Sequence, residues 1–494
     1  MESILSMNLC SSFGNQNKEL IIMAKKNSNK KEKHDLLYIM NPKCGWCTKA
    51  NPVVDELIKD GYKITTLDIT NSEDAKKANE AKAKHNAQCG TPFFLDAETG
   101  NRVCGFRDKE ALEPWAKGEQ MEEKPTPTPA QKPTPKKYKL EYIWTDNDGN
   151  IRSKTQYKTI VQMPNEILSI RNVPKGIFDG SSTNQADTTN SDLIISPVRL
   201  FPNSIESRNQ SQIPSWYVLC EVLNPDGTHH KSNLRKELWD VLEENKDQDI
   251  WVGVEQEYVI VDEVSGHPYG WEDYENSTPP PQGEYYCGVG GSKQKGRLIA
   301  EQHANLCIQS GLSFEGFHPE VMLSQWEYQI GPGNPLDIAD QLIFSRFLLQ
   351  RITERVSFPV AVSYDSKVME DGDWNGSGAH INFSSKQMRG ENTTEYLNII
   401  CSSLAEFHNE AIKSYGKDND KRLTGNHETS SIDTFTWGEN DRTASIRIPF
   451  SEVVEGKMGY LEDRRPSASM NPYEAFLYLV STVAEVSKEL LVNI

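Results

Sequence analysis

The sequence predicts an α+β protein in which a small α/β module precedes a larger module. Residues 34–118 alternate strand-like and helix-like stretches, and residues 138–494 are continuously globular in composition. Between them, residues 119–137 are rich in Pro, Thr and Lys and contain almost no apolar side chains. Such a stretch builds no core, so we expect an extended linker there. A chain of 494 residues is also too long for one ordinary core, which favours two or three domains.

The composition of the chain indicates its compartment and argues against two classes of partner. The formal net charge is −18, whereas a protein that binds a nucleic-acid duplex needs a basic face. No segment approaches the run of about 18 apolar residues that a membrane span requires. Residues 1–33 are rich in Ser, Asn and Lys and lack the apolar centre of a signal peptide. We therefore expect a disordered leader at 1–33, a cytoplasmic protein, and neither nucleic acid nor membrane as a partner.

A Cys-x-x-Cys pair makes the small module a candidate redox site. Cys44 and Cys47 fall where a predicted strand turns into a predicted helix. The helix N-terminus favours a thiolate at Cys44, and Cys47, one turn further on, can resolve a mixed disulfide. Half of a zinc site and a chance spacing are the alternatives, but no second Cys or His pair follows at ligand spacing.

Around this pair, the small module resembles the thioredoxin and glutaredoxin family. The order of strands and helices fits, and Thr91-Pro92 matches the loop that carries a cis-proline in that family. The resemblance implies a small α/β fold at 34–118 with a dithiol function at the Cys-x-x-Cys pair. We interpret Cys89 and Cys104 as small buried apolar residues and not as redox partners.

The larger module places carboxylates in an apolar strand. The segment "DIWVGVEQEYVIVD" predicts a strand, and alternation puts Glu255 and Glu257 on one face of it. Two carboxylates on an apolar strand are costly unless a cation neutralises them. A surface strand with solvated acids is the alternative, and the flanking apolar residues argue against it.

A predicted hairpin and a further strand add to this set. The segment "PEVMLSQWEYQIGP" predicts a hairpin that turns near Leu323-Ser324 and puts Glu320 directly opposite Glu327. Opposed like charges are destabilising without a bound cation. His380 lies in the predicted strand of "DGDWNGSGAHINFS". By itself, such a histidine is more often a structural residue than a ligand.

Several glutamates with one histidine form an oxygen-rich set that suits Mg²⁺ or Mn²⁺ better than Zn²⁺. Protein-bound Mg²⁺ commonly joins carboxylates to substrate phosphates, which implies a nucleotide. The sequence has no Walker motif and no dinucleotide glycine fingerprint after a strand, so another scaffold must bind that nucleotide. Arginines, which suit carboxylate and phosphate, cluster late in the chain: Arg422, Arg442, Arg447, Arg464 and Arg465.

Eight strings in the larger module resemble, in order, the motifs of glutamine synthetases of the eukaryotic-like type. They are "FDGSSTNQADTTNSDLIISP", "VGVEQEY", "YYCGVGG", "EVMLSQWEYQIGP", "DWNGSGAHINFS", "RLTGNHETSS", "RTASIRIP" and "GYLEDRRPSA". The resemblance extends from about Tyr142 to the C-terminus. It implies ATP-dependent ligation of ammonia to the γ-carboxylate of glutamate through a γ-glutamyl phosphate. Mg²⁺ or Mn²⁺ would be the cofactor, and glutamate, ammonium and ATP the substrates.

The same resemblance implies the domains and the assembly. It predicts a small domain of β-grasp type at 138–226 and a catalytic domain at 227–494, with a curved antiparallel sheet and helices outside it. It also implies a homo-oligomer, a decamer of two stacked rings. In that family the residue matched by Asp179 reaches the next subunit's catalytic domain, so the active sites would be shared.

Motif by motif, the resemblance assigns roles to residues of this chain. Asp179 would bind ammonium and take its proton, and Glu428 would be the acid of a flap that closes the site. The metal ligands would be Glu257, Glu320 and Glu327 at one ion and Glu255, His380 and Glu462 at the other. Catalytic roles fall on Asp179, Glu428 and Arg464. Substrate contacts fall on Ser182, Tyr286, Asn375, Gly376, Arg422 and Arg442. Nucleotide contacts fall on Trp251, Asn382, Ser384, Arg389, Arg447 and Tyr460.

Three other functions stay open at the level of sequence. The chain could be a binding protein that kept the fold and lost catalysis, although every implied ligand and acid is present. It could be a related ligase that joins another amine to glutamate. Its main function could instead reside in the dithiol module, with the larger module as a scaffold.

Overall fold

The structure is a computed structural model. It describes residues 34–121, 133–163, 166–206, 213–282, 284–390, 394–449 and 459–492. The leader expected at 1–33 and residues 122–132 of the expected linker lie outside the described residues. The chain divides into two compact units, Met1–Lys132 and Pro133–Ile494. Among the described helices, none combines the length and the apolar character of a membrane span.

The first unit, within its described residues 34–121, contains a four-stranded sheet and three helices. Its strands, in chain order, are β1 (Leu36–Met40), β2 (Ile64–Asp68), β3 (Phe93–Asp96) and β4 (Arg102–Cys104), and its helices are α1 (Gly45–Lys59), α2 (Ser72–Lys84) and α3 (Lys109–Ala116). The strand order is β2-β1-β3-β4, with β1 and β2 parallel and the other pairs antiparallel. Two apolar clusters form the core of this unit. The expected alternation of strands and helices at 34–118 is confirmed, and β3 and β4 form an antiparallel hairpin.

The second unit begins with a five-stranded sheet. Its strands are β5 (Thr134–Thr145), β6 (Ile151–Gln162), β7 (Gly176–Asp179), β8 (Asp192–Pro202) and β9 (Ser215–Leu223), in the order β6-β5-β9-β8-β7. Strand β5 begins at Thr134, inside the stretch that we expected to be linker, because Pro135 and Lys136 pair with Val161 and Ile160 of β6. The β-grasp assignment of this sheet stays a prediction.

An eight-stranded sheet carries the rest of the unit. Its strands are β10 (Trp251–Asp262), β11 (Phe314–Pro319), β12 (Gln325–Gly333), β13 (Val360–Ser363), β14 (Ala379–Ser384), β15 (Trp437–Glu439), β16 (Ile446–Ile448) and β17 (Leu461–Asp463). The order is β11-β12-β10-β14-β17-β16-β15, and β13 pairs with β10. The sheet is mixed, not purely antiparallel as expected, because β15 and β16 run parallel.

The described part of the unit has six helices beside this sheet: α4 (Leu234–Glu244), α5 (Arg297–Gln309), α6 (Pro335–Thr353), α7 (Thr394–Glu406), α8 (His408–Ser414) and α9 (Pro472–Val492). The apolar side chains of α6 and α9 belong to the main hydrophobic core of the unit. In β10, Val254 and Tyr258 pack into that core with the helices. Because side chains alternate along a strand, those of Glu255 and Glu257 point to the opposite face of the sheet.

Candidate active site

Strand β10 and its two neighbours form the centre of the site. Glu255 and Glu257 share the face of β10 that points away from the helices, as predicted. In the register of the sheet, Glu257 lies opposite Glu327 of β12, and Glu255 lies opposite His380 of β14. On the far side of β14, Glu462 of β17 pairs with Asn382. Five of the six predicted metal ligands are thus gathered by strand pairing alone.

The predicted register of the hairpin is wrong by two residues. The turn does lie near Leu323-Ser324, and Ser324 has a positive φ of 53° there. However, the residue paired with Glu327 is His318, and β11 ends at Pro319. Glu320 lies in the turn, where its backbone N–H donates to the carbonyl of Gln325 (2.9 Å). Its carboxylate still reaches the cluster, and His318 enters the cluster as a residue that the sequence analysis missed.

Two groups of potential ligand atoms result, each with its atoms within 4.8 Å of one another: Glu255, Glu327 and His380 in the first, and His318, Glu320 and Glu327 in the second. Glu327 belongs to both groups. The predicted division of these residues between two metal sites stays a prediction. Glu257 lies at the same centre, where it accepts hydrogen bonds from the backbone N–H of Gly378 (2.7 Å) and from Gln325 Nε2 (3.2 Å).

Gly378 permits this close approach. A Cβ atom at this position would lie 2.5 Å from Arg422 and 2.8 Å from His380 Nε2. Distances below 3 Å are closer than real Cβ contacts allow, so a side chain here would push both residues out of place. Gly378 thus permits the close packing of Arg422 and His380 in the site, a role that was not predicted from the sequence.

Without a cation, the cluster opposes the ionisation of its own acids. Burial raises the pKa of Glu257 and Glu327, and it raises the pKa of Glu320 to about 8. Repulsion from neighbouring carboxylates adds to the effect at Glu320 and Glu327. Like charges in a poorly hydrated site can all ionise only when a positive charge is placed among them. The arrangement therefore favours a bound cation.

The donor set fits a divalent metal ion. Nδ1 of His380 is buried and has no hydrogen-bond partner among the described atoms, yet it lies 3.5 Å from carboxylate oxygens of both Glu255 and Glu462. A buried nitrogen that faces two carboxylates is a natural ligand for a cation between them. Carboxylate oxygens with a minority of imidazole nitrogen suit Mg²⁺ or Mn²⁺.

Glu462 differs from the other predicted ligands because arginines hold both of its oxygens. Arg447 NH1 lies 2.6 Å from Oε2, and Arg464 NH1 lies 2.5 Å from Oε1. Arg465 was grouped with these arginines by sequence, but it has a different environment. Its guanidinium group is fully buried and pairs with Asp463 at 2.7 Å, on the other side of the strand. Arg465 is therefore structural and does not reach the site.

A cavity of about 200 Å³ lies on one side of the cluster. The cluster members Glu257, Glu320 and His380 line it. Most of the predicted substrate and catalytic residues line the same cavity: Asn375, Gly376, Arg422, Glu428 and Arg464. Arg422 is buried and lies 3.0 Å from Nε2 of His380, so the cavity combines a fixed positive charge with the carboxylates. Such a cavity can hold a small anionic substrate.

A cleft of about 490 Å³ lies on the other side. Glu255 lines it, together with five of the predicted nucleotide-binding residues: Trp251, Asn382, Ser384, Arg389 and Tyr460. Arg389 lies over the ring of Trp251 at 4.1 Å and donates to the hydroxyl of Ser384 (2.8 Å). Arg447, the sixth predicted residue, is not among the residues that line this cleft and contacts Glu462 instead. The two cavities therefore meet at the carboxylate cluster.

The loop that carries Glu428 forms part of the wall of the smaller cavity. His427 and Glu428 are consecutive residues with positive φ angles of 54° and 58°. Such backbone is strained in residues with side chains and persists only where contacts hold it. His427 supplies these contacts: Nδ1 accepts from Gln282 Nε2 (2.5 Å), and Nε2 donates to Asp373 (2.6 Å). Glu428 was predicted from the sequence as the acid of this loop, whereas the role of His427 in holding the loop was not.

Asp179 and Ser182 lie together at the end of β7 and are not among the residues that line the cavity. Asp179 accepts from the hydroxyl of Ser181 (2.6 Å) and from that of Ser182 (2.7 Å). These two hydroxyls and the backbone N–H of Ser181 lower the pKa of Asp179 to about 2. The carboxylate is therefore ionised, and because it is exposed to solvent it can bind a cation.

Tyr286 and Arg442 lie at the margin of the site. The ring of Tyr286 packs edge-on against His318, with 5.6 Å between the ring centres, and is half exposed. Arg442 is exposed, and its carbonyl accepts from Nε of Arg464 (3.0 Å). Neither residue lines the two described cavities. Both predicted substrate contacts are thus adjacent to the site without entering it.

In the first unit, Cys44 and Cys47 differ sharply in environment. Cys44 precedes the first residue of α1 and is partly accessible, whereas Cys47 is fully buried inside the helix. Hydrogen bonding to Cys44 from the backbone and the thiol of Cys47 lowers the pKa of Cys44, and burial raises that of Cys47. The sulfur of Cys44 also lies 3.3 Å from the carbonyl of Thr91, whose peptide bond to Pro92 is cis.

Cys89 and Cys104 contradict our interpretation of them as separate apolar residues. They are joined as a disulfide, with Cα atoms 6.0 Å apart. The strand register brings them together, because Cys104 of β4 pairs with Phe93, the first residue of β3, and Cys89 lies just before that strand. Their sequence spacing contains no recognisable motif.

Comparisons with known proteins agree with the geometry of the second unit. A family model described as "Glutamine synthetase, catalytic domain" matches residues 231–485. The glutamine synthetase of Neurospora crassa is 44% identical over 334 residues, which cover 68% of this chain and 88% of that protein. That of Saccharomyces cerevisiae is 41% identical over 355 residues, covering 71% and 91%. A chloroplastic glutamine synthetase of Chlamydomonas reinhardtii is 42% identical over 350 residues, covering 69% and 90%. The chain belongs to the glutamine synthetase family.

Proposed function

We propose that this chain is an ATP-dependent glutamate–ammonia ligase that forms glutamine through a γ-glutamyl phosphate. The observation that carries the proposal is the meeting of two cavities at one carboxylate cluster. Glu255 lines the larger cleft, and Glu257 and His380 line the smaller cavity. A phosphoryl group at the end of a nucleotide in the cleft would therefore lie next to a carboxylate bound in the cavity, which is what transfer between them requires.

In the first step, the γ-carboxylate oxygen of glutamate attacks the terminal phosphorus of ATP, and ADP leaves. We assign nucleotide binding to Trp251, Arg389 and Tyr460 in the cleft, and glutamate binding to Arg422 and Asn375 in the cavity. A bound divalent ion would neutralise the charge of the phosphates. Arg464 adds a fixed guanidinium at the same place, where charge develops on the transferring group.

In the second step, ammonia attacks the carbonyl carbon of the acyl phosphate, and phosphate leaves. Ammonium must first lose a proton, because NH₄⁺ has no free electron pair. Asp179, ionised and with a pKa of about 2, is suited to attract ammonium. Asp179 and Glu428 are the two candidates to accept the proton, and Glu428, with its loop, is suited to keep water from the acyl phosphate.

Assembly and compartment are further parts of the proposal. We propose a decamer of two stacked rings in which Asp179 serves the cavity of a neighbouring subunit. Its position outside the lining of the cavity supports this. Mixing Asp179→Asn subunits with Glu257→Gln subunits should restore part of the activity if sites are shared, and should restore none if each chain is self-sufficient. Location in the cytoplasm remains a prediction from composition.

A single assay separates the main alternatives. Purified protein with ATP, Mg²⁺, glutamate and ammonium should release phosphate and glutamine in equal amounts. Absence of product under both reducing and oxidising conditions would favour a binding protein or a scaffold for the dithiol unit. Phosphate release with a polyamine but not with ammonium would favour a ligase for another amine.

A second function is supported for the first unit. We propose that it is a thioredoxin-like domain whose Cys44 thiolate attacks disulfides, with Cys47 resolving the mixed disulfide. The partly accessible sulfur with a lowered pKa, beside a buried second thiol, supports this role. Reduction of a model disulfide should be lost in Cys44→Ser. If synthetase activity of that variant is unchanged in both redox states, the dithiol does not regulate the ligase.

A further inference from the structure

His318 lies inside the carboxylate cluster. Its strand β11 places it directly opposite Glu327 in the register of the sheet. One ring nitrogen faces each neighbouring acid: Nδ1 lies 3.3 Å from Oε1 of Glu320, and Nε2 lies 3.5 Å from Oε1 of Glu327. One nitrogen of His318 and one oxygen from each acid lie within 4.8 Å of one another. This is the spacing of atoms that share one metal ion.

The rest of its environment leaves the ring available to such an ion. Nδ1 of His318 is buried from solvent and has no hydrogen-bond partner among the described atoms. The ring of Tyr286 packs edge-on against the imidazole at 5.6 Å, which restricts its rotation without using either nitrogen. A buried nitrogen without a partner is costly, and a metal ion would satisfy it.

We infer that His318 is a nitrogen ligand of the divalent ion held by Glu320 and Glu327, and that it makes this site prefer Mn²⁺ to Mg²⁺. The inference rests on the proposed function for the presence of the ion. Mg²⁺ takes oxygen ligands almost exclusively, whereas Mn²⁺, the first member of the transition-metal series that binds mixed nitrogen and oxygen sites, accepts an imidazole nitrogen beside carboxylates. A site made of glutamates alone would bind whichever of the two ions is more abundant. One imidazole ligand raises the affinity for Mn²⁺ relative to that for Mg²⁺.

The alternative role for His318 is electrostatic. A protonated imidazole between two carboxylates would act as an internal counter-ion and would compete with any metal. The two roles predict opposite results on removal of the ring. Loss of a ligand weakens manganese binding, whereas loss of a competing cation strengthens the binding of both metals.

The test uses the full-length protein and measures metal binding without substrates. Free Mn²⁺ is followed by electron paramagnetic resonance during titration, and Mg²⁺ is measured by its competition with Mn²⁺. We expect His318→Gln and His318→Asn to weaken Mn²⁺ binding by about tenfold or more, since even partners outside the ligand shell are worth about that much. The affinity for Mg²⁺ should change little. His229→Gln, which alters a histidine outside the two described cavities, is the matched control.

Nitrogen coupling to the bound metal provides a second readout. In a His380→Gln background, the pulsed resonance spectrum of bound Mn²⁺ should still show coupling to an imidazole nitrogen, and addition of His318→Gln should abolish it. No coupling in the His380→Gln protein, unchanged Mn²⁺ affinity in both His318 variants, or tighter binding of both metals would overturn the inference. Because none of these measurements needs turnover, failure of the ligase assay and failure of the ligand assignment are separable.

Discussion

The buried pair of Arg465 and Asp463 gives a sharp prediction about the stability of the catalytic unit. Arg465 Nε lies 2.9 Å from Oδ1 of Asp463, and NH2 lies 2.7 Å from Oδ2, where the hydroxyl of Tyr415 also donates (2.8 Å). Neither charged side chain is exposed to solvent. Replacement Arg465→Met fills similar space but leaves the carboxylate of Asp463 buried without its counter-charge.

The magnitude follows from the environment of the pair. Removal of one partner of a fully buried ion pair costs about 3–5 kcal/mol. Unfolding entropy is about 2.1 cal/mol/K per residue, so a unit of roughly 360 residues loses about 0.8 kcal/mol of stability per degree near its Tm. Arg465→Met should therefore lower the Tm by about 4–6 °C. The double variant Asp463→Leu/Arg465→Met removes both charges and should recover most of this loss.

Thermal unfolding followed by circular dichroism, at one protein concentration, measures these shifts. The matched control is Glu370→Gln, which removes one partner of the exposed pair with Lys421 (2.7 Å). Exposed pairs are worth at most about 1 kcal/mol, so this control should move the Tm by no more than about one degree. A shift in Arg465→Met as small as that of the control would refute the reasoning, as would a double variant less stable than either single one.

Other predictions concern the sites themselves. Asp179→Asn should raise the KM for ammonium by about 10–100-fold, the equivalent of about 1.5–3 kcal/mol for a charged hydrogen bond; an unchanged KM in initial-rate assays would remove Asp179 from the ammonium site. His427→Ala should release the loop of Glu428 and admit water, so glutamine formed per phosphate should fall below one; a ratio that stays at one would show that the histidine does not hold the loop. Iodoacetamide should modify Cys44 in preference to Cys47. Because the pKa of Cys44 is lowered, the midpoint of its rate against pH should lie below that of an ordinary cysteine; peptide mapping by mass spectrometry that found Cys47 modified first would contradict this.

Local sequence patterns were enough to predict the strands of the site and the kind of chemistry that they carry. The exact partners of individual residues depend on how separate strands pair, which local patterns do not determine. Alternation placed Glu255 and Glu257 on one face of β10 because it depends only on neighbouring residues. It could not set the register of the hairpin, because that register depends on how many residues the turn uses. The turn includes Glu320, and His318 therefore occupies the position opposite Glu327.

Two further differences have a similar origin. Composition indicated a linker at Thr134, but the first residues of β5 pair with β6, and composition carries no information about partners. Arg464 and Arg465 are adjacent in sequence and similar in chemistry, yet the structure directs one to Glu462 and the other to Asp463. Only the direction of each side chain, fixed by the packing of β17, separates a candidate catalytic arginine from a structural one.

Strand β10 has a consequence for how the enzyme could be tuned from a distance. Gln256, between the two acids, faces the helices and accepts from the guanidinium of Arg346 in α6, which also donates to carbonyls of the segment after β17. A substitution in α6 that moves Arg346 would therefore shift Gln256, and with it the backbone of β10 that carries Glu255 and Glu257. Variants selected for altered affinity need not touch either cavity, and α6 is a sensible place to search for them.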